Sequence, residues 1–485
     1  MDTKSLSVLF VASEVEGLIK SGGLADVAKA LPEALVTLNQ DVRIALPAYQ
    51  QISHLEKATV LLDTQLEHSP HTEYRVLELR ISNVVVYAID CPKYFNRSEM
   101  YAVNNRAYSD NGERFAFFSA ASLDMLPKLG FRPNIVHAND WHTGLVPYLL
   151  KYRHRQSEFY AEMKSIMTVH NAIFKGVFSY DDLLCLPEMQ TRYAPDAAVS
   201  PTHITMLKAG VMTADKISAV SPTYAEELKT EMGSHGMSEE FRARQADLVG
   251  ILNGCDYSLW NPKTDPYLEM NYQPNKDSLK RGKKACKYAL QTKLGLDIRD
   301  VAVYGMVCRL TNQKGIQYLL PILERFLSHQ VQFVIVGTGD PSLAVKLRDI
   351  QRRHGRQFKF IEAYSNELAH MVEAGADVFV MPSEFEPCGL NQIYSMAYGT
   401  LPIVRAVGGL KDTVVDYATD PDRATGFVFN QPKPSELLIT LQHALLVYEQ
   451  QPEEFMRVQL NAMEQNFSWS IAADEYLSLY NSVLM

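Results

Sequence analysis

The sequence predicts an α/β protein built from two doubly wound domains, and three observations predict it. Apolar, β-branched runs alternate with segments whose apolar residues recur at the 3.6-residue spacing of a helix. The runs are apolar throughout instead of alternating with polar residues, as expected for strands of a mostly parallel sheet covered on both faces. The series also starts afresh after a polar stretch, in a chain of 485 residues, longer than one hydrophobic core usually supports.

The first series predicts strands at 7–12, 42–46, 84–89, 135–138, 166–169 and 216–220. Between the first two, Leu24, Val27, Ala28, Leu31 and Leu35 keep helical spacing, and Pro32 is expected to kink or shorten that helix. From 256 to 277 the chain turns polar and carries Pro262, Pro266 and Pro274, which reads as a linker or hinge. The second series predicts strands at 301–308, 332–336, 359–361, 377–381 and 402–404. The last stretch, SWSIAADEYLSLYNSVL, predicts a helix with Ser468 or Ser470 near its cap. The expected division is therefore a first domain at 1–255, a hinge at 256–277, a second domain at 278–465 and a closing helical segment at 466–485.

Composition narrows the function classes. A net charge of −9 argues against a broad electrostatic surface for nucleic acid or anionic membrane. Any bound phosphate must then be held by a few placed cations. The six cysteines form no CxxC pair and no zinc spacing, so reduced thiols in a cytoplasmic protein are expected. No run is long enough to span a bilayer, and the N-terminus lacks a signal-peptide pattern.

In doubly wound sheets ligands bind beyond the carboxyl ends of the strands, and the polar motifs gather there. After the first strand comes EVEGLIKSGGLADV, with Lys20 beside Gly22 and Gly23. It is neither a Walker A loop nor GxGxxG. Two readings remain: an anion cradle at a helix start, with Lys20 adding a full charge, or a tight turn with a solvated lysine. The second half repeats the device in CRLTNQKG, where Arg309 and Lys314 follow a buried strand. In MPSEFEPCGLNQ, Glu386 precedes Pro387, expected at the first position of a helix running to about Gly399. The N–H groups of Gly389, Leu390 and Asn391 are then candidates for phosphate oxygens, and Glu386 either faces the ligand or caps the helix. HANDWH supplies His137, Asp140 and His142, TVHNA supplies His170 and Asn171, and ILNGCD supplies Asn253. Their spacing favours hydrogen bonds to a polyhydroxyl ligand over a metal site. Asp420-Pro421-Asp422 reads as a turn.

The segments KSGGLADV, HANDWHTGL, TVHNA, VSPTYAEE, LNGCD, RLTNQKG, EFEPCGLNQ and GGLKDTV occur in the order found in bacterial glycogen synthases and plant starch synthases, which the chain resembles over essentially its whole length. The resemblance implies the GT-B fold, two Rossmann-like domains facing across a central cleft, with the C-terminal helix crossing back to the first domain. It implies transfer of glucose from ADP-glucose to a glycogen or malto-oligosaccharide primer with retention of configuration, without metal or cofactor. By position it implies that Lys20, Gly23, Arg309 and Lys314 hold the donor diphosphate, and that His170, Asp140, Asn171 and Asn253 lie near the donor sugar. Glu386 and the backbone from Cys388 to Asn391 would hold sugar and phosphates, and Tyr364 would stack on adenine. Tyr101, Tyr108 and Asp26 would meet the acceptor. Three features depart from the pattern: Ser21 stands where threonine is usual, Asn391 replaces a common threonine, and Tyr394 stands where many related transferases have a second glutamate. Alternatives from the same sequence are another retaining glucosyltransferase, with UDP-glucose as donor or a disaccharide as product, and a non-catalytic glucan- or nucleotide-binding protein.

Overall fold

The computed structural model describes residues 5–104, 106–363 and 365–484. They form two compact units, one holding the chain up to Gly254 together with the segment from Trp469 onward, the other Cys255–Ser468.

In the first unit a nine-stranded sheet is built from β1 (Ser7–Val11), β2 (Asp41–Pro47), β3 (Thr59–Leu66), β4 (Ser69–Ile81), β5 (Val84–Asp90), β6 (Ile135–Asn139), β7 (Lys164–Val169), β8 (Lys216–Ala219) and β9 (Leu248–Gly250). Their order is β9-β8-β7-β6-β1-β2-β5-β4-β3. Every pair is parallel except β3 with β4 and β4 with β5. The chain begins at β1, winds outward through β2, and returns to lay β6 on the other side of β1. That reversal is a topological switch point, so a ligand crevice is expected above the carboxyl ends of β1 and β6.

The second unit repeats the logic with β10 (Ala302–Val307), β11 (Val331–Val336), β12 (Phe358–Ile361), β13 (Val378–Met381), β14 (Leu401–Arg405) and β15 (Phe427–Phe429). The order is β12-β11-β10-β13-β14-β15, and every pair is parallel. All residues of β10, β11 and β13 are buried, which accounts for their unbroken apolar runs. Here the switch point lies between β10 and β13.

Four expectations need correction. The helix Gly23–Thr37 is not cut short at Pro32, which lies inside it; Leu31, Pro32 and Leu35 are all buried, and that packing outweighs the lost backbone hydrogen bond. The helix expected from Pro387 is the shorter Asn391–Ala397. The stretch 256–277 is no free linker but part of the second unit. Trp260 lies between the rings of His370 and Tyr394, centroids 3.9 and 4.0 Å away and nearly parallel. Asp265 accepts from Tyr398 Oη at 2.5 Å and pairs with His370 Nδ1 at 2.7 Å. Aromatic rings inside a polar, proline-bearing stretch supply this packing. The closing helix starts at Trp469, three residues after the expected segment boundary. In the first unit its Tyr480 Oη meets His137 Nδ1 at 2.7 Å, while His137 Nε2 meets Thr168 Oγ1 at 2.6 Å.

Among the described residues no helix is long and apolar enough to cross a membrane.

Candidate active site

The loop after β1 leads from Ala12 to the helix Gly23–Thr37, and its polar groups are already organised. Glu14, 4 % exposed, accepts the backbone N–H of Ser21 at 2.5 Å and of Gly22 at 3.0 Å through Oε2. Its Oε1 accepts from Ser21 Oγ at 3.0 Å and Tyr101 Oη at 3.2 Å. An internal carboxylate thus occupies two N–H groups of the expected anion cradle. Glu14 escapes sequence reasoning because an acid just past a strand usually faces water.

Gly22 and Gly23 answer the question their spacing raises. Gly22 has φ −155°, neither glycine has a positive φ, and among the described residues beyond its chain neighbours and its own helix no heavy atom lies within 4 Å of where a Cβ would sit. Backbone strain does not require them, nor does packing within the chain. The open space over the helix start lets an external group approach the backbone closely. Lys20 pairs with Asp26 at 2.7 Å and Glu16 at 2.9 Å. Burial pulls its ammonium toward neutrality, but the two carboxylates more than offset this and raise its pKa. Asp26, read as an acceptor contact, is here a partner of Lys20. Tyr101 also donates to Ser13 Oγ at 2.8 Å, and Tyr108 lies under the guanidinium groups of Arg97 and Arg114.

The ends of β6 and β7 meet on Asp140, whose Oδ1 accepts the N–H of His170 at 2.7 Å and of Asn171 at 3.3 Å. Asp140 adopts φ 55°, ψ −178°, backbone that glycine tolerates and other residues rarely hold without support. Burial pushes its carboxyl up to about 7 despite those two donors. His170 Nε2 lies 2.9 Å from Asn139 Oδ1. Asn139 spends its Nδ2 on the carbonyls of Val11 and His137, so Oδ1 is an acceptor and His170 must donate from Nε2. The lone pair is then on Nδ1, which has no partner among the described residues. Burial lowers the His170 pKa to about 3, so the ring is a neutral acceptor at physiological pH. Asn253 is buried and its Oδ1 has no hydrogen-bond partner among the described residues. His142 is stacked on Trp141, with centroids 4.0 Å apart. No group of metal-ligating side chains occurs among the described residues.

In the second unit the switch point joins the loops after β10 and β13. Lys314 Nζ donates to Glu386 Oε2 at 2.6 Å, and Ser383 Oγ donates to the same oxygen at 3.0 Å. Glu386 is therefore held as an oriented carboxylate and does not cap the helix Asn391–Ala397. Arg309 is exposed, with no hydrogen bond or ion pair among the described residues. Gly389 has φ 72°, a left-handed turn that lets the chain pass from buried Cys388 into the helix. The side chain of Asn391 donates to Val307 O at 2.8 Å, tying the helix start to β10. Tyr394 is spent on the Trp260 stack. Tyr364 lies outside the described residues.

Two family models match the chain: the starch synthase catalytic domain over residues 7–243 and glycosyl transferases group 1 over 297–454. The chain is 66 % identical over 484 residues to a protein named glycogen synthase from Vibrio parahaemolyticus, with all of both chains covered. It is 64 % identical over 482 residues to the glycogen synthase of Vibrio atlanticus, covering 99 % of this chain and 100 % of the relative. Among solved structures it is similar to the catalytic domain of starch synthase IV from Arabidopsis thaliana bound to ADP and acarbose, with a TM-score of 0.89, 29 % identity and coverage of 99 % and 100 %. Sucrose-phosphate synthase from Thermosynechococcus elongatus shares the fold at a TM-score of 0.60, with 17 % identity over 98 % of each chain.

Proposed function

The chain belongs to the glycogen and starch synthase family, and from that premise we propose that it transfers glucose from ADP-glucose to the 4-hydroxyl at the non-reducing end of an α-1,4-glucan, with retention of configuration. It is a glucosyltransferase of the GT-B fold, using a nucleotide-sugar donor and a glucan acceptor. The identity of the base and of the primer, as glycogen or malto-oligosaccharide, is the finer part of the proposal.

One observation carries the reading at the level of chemistry. At the switch point of each sheet, a lysine next to glycine-bearing backbone is held by carboxylates of the chain itself. Such a lysine is charged and poised, and a diphosphate competes for it. In the proposed reaction the bond from C1 of glucose to the diphosphate oxygen breaks, and negative charge grows on that oxygen. Lys20, Arg309, Lys314 and the N–H groups at Gly23 and Gly389–Asn391 stabilise the growing charge electrostatically.

Retention through a covalent intermediate needs a free carboxylate nucleophile. Glu386 is anchored through Oε2 by Lys314 and Ser383, and Asp140 through Oδ1 by two backbone N–H groups; we assign neither the nucleophile's part and take the reaction without a covalent intermediate. The acceptor hydroxyl attacks C1 from the face that the diphosphate leaves. Its proton passes to the departing phosphate oxygen as the new C1–O4 bond forms. Glu386 positions the sugar and offsets positive charge on it, while His170 Nδ1 and Asn253 accept sugar hydroxyls.

Turnover of ADP-glucose and UDP-glucose with a maltohexaose primer, followed by linkage analysis, tests the proposal. Release of ADP only when primer is present, with new α-1,4 bonds, is expected. Preference for UDP-glucose, a disaccharide product, or no primer-dependent release would overturn it.

A further inference from the structure

The three side chains expected to meet the acceptor are all engaged within the chain: Tyr101 with Glu14 and Ser13, Asp26 with Lys20, and Tyr108 under two guanidinium groups. A different aromatic side chain stands open beside the same site. The loop 172–176 leaves the carboxyl end of β7 directly after His170 and Asn171, and its Phe174 is 57 % exposed. No aromatic ring or cation lies against Phe174 among the described residues. Ile173 and Val177, close by in the chain, are exposed as well.

The loop is fixed even though these apolar side chains are uncovered. At its start Ala172 is buried and donates its N–H to Tyr224 Oη at 2.9 Å. Asn171 accepts the N–H of Ile173 on Oδ1 at 3.2 Å and that of Phe174 on its carbonyl at 3.3 Å. At its end the carbonyls of Lys175 and Gly176 accept from the N–H groups of Leu207 and Met206 at 3.0 and 2.9 Å, and Lys175 Nζ donates to His235 O at 2.6 Å. Gly176, at φ 62°, passes so close to the ring of Trp141 that a Cβ there would clash. Asp140, the residue before Trp141, holds the N–H groups of His170 and Asn171. Both ends of the loop are thereby tied to the site.

An uncovered ring is unfavourable in water, and a ring on a fixed loop loses little conformational freedom when a ligand covers it. Asn171 adds a polar group beside it. With Oδ1 engaged, its Nδ2 has no partner among the described residues and is a donor for a hydroxyl.

We infer that Phe174 is a stacking platform for the acceptor glucan, its ring covering the apolar C–H face of a glucose unit while Asn171 Nδ2 donates to a hydroxyl. A pyranose offers that pair of surfaces, a flat face of C–H groups rimmed by hydroxyls, and an aromatic face beside an amide matches it. The inference rests on the glucan acceptor of the proposed function and names where that polymer is gripped.

Isothermal titration with maltohexaose, without donor, tests this on the full chain as wild type, Phe174→Ala, Phe174→Leu and Phe174→Tyr. Phe174→Ala and Phe174→Leu should each weaken binding about tenfold, the effect of uncovering one aromatic face, with melting temperatures unchanged. Phe174→Tyr should bind as wild type does, because stacking needs a flat face and not apolar bulk alone. In turnover, Phe174→Ala should raise KM for maltohexaose and leave KM for the nucleotide sugar unchanged. Equal maltohexaose affinity in wild type and Phe174→Ala would overturn the inference and leave the proposed function standing. Full affinity in Phe174→Leu would also overturn it. So would a wild-type dimer that Phe174→Ala dissociates, since a second copy would then cover the ring. A wild type that neither binds nor extends maltohexaose would remove the inference and the proposed function together.

Discussion

Gly23→Ala separates what the chain needs from what its ligand needs. Gly23 is the first residue of the helix Gly23–Thr37, its φ is not positive, and among the described residues beyond its chain neighbours and its own helix no atom lies within 4 Å of the position a Cβ would take. Alanine is a better helix former than glycine by about 1 kcal/mol in a helix interior. At this first position about half of that is reasonable, so the melting temperature should hold or rise by about 1–2 °C. The added methyl would occupy the space through which a diphosphate approaches the helix N–H groups. Losing such a preorganised donor costs about 3–4 kcal/mol, a few hundred-fold in rate. Primer-dependent ADP release and a thermal melt on the same preparation check both halves. An active Gly23→Ala enzyme would refute the reasoning. A fall in activity matched by a fall in melting temperature would also refute it, since the glycine would then serve the fold.

Lys314→Gln should lower kcat a few hundred-fold. It should also destabilise the second unit by about 1–3 kcal/mol, because among the described residues buried Glu386 keeps only Ser383 as a side-chain partner; a kcat near wild type would contradict this. Glu14→Ala unpins the backbone of Ser21 and Gly22 and should reduce both stability and kcat, with Glu14→Gln intermediate because one acceptor oxygen survives; equal activity in all three proteins would remove Glu14 from the account. Asp140 has a folded pKa raised from 3.8 to about 7, so the folded chain keeps a proton that the unfolded chain loses. That stabilisation is complete below about pH 4 and is withdrawn as pH rises to about 7, by about 1.4 kcal/mol per unit. Denaturant titrations from pH 4 to 7 should show wild type losing stability relative to Asp140→Asn, which does not titrate; parallel curves would exclude the shift.

Much of the fold was legible because buried parallel strands leave unbroken apolar runs, and all eleven predicted runs correspond to strands. The hairpin of β3 and β4 was missed for the opposite reason. In TVLLDTQL the residues are mostly exposed or half-buried, so the run mixes polar and apolar side chains and matches no continuous template. The stretch 256–277 misled because composition shows polarity and prolines, whereas Trp260 and Asp265 are fixed by residues more than a hundred positions later. At the site, motif residues such as Lys20, Lys314 and Glu386 stood out as charges at strand ends. Their partners did not. Glu14, Ser383 and Asn139 act through distances that only folding creates, and His137, read with the site, holds the closing helix through Tyr480.

The central claim is that lysines held by internal carboxylates exchange them for the donor's diphosphate. A structure of the chain with ADP and maltohexaose tests it most directly. Lys20 and Lys314 should then each lie about 2.7–2.9 Å from a phosphate oxygen, with Arg309 also on the diphosphate. Lys20 still on Glu16 and Asp26, with Lys314 bound to Glu386 alone, would contradict the account.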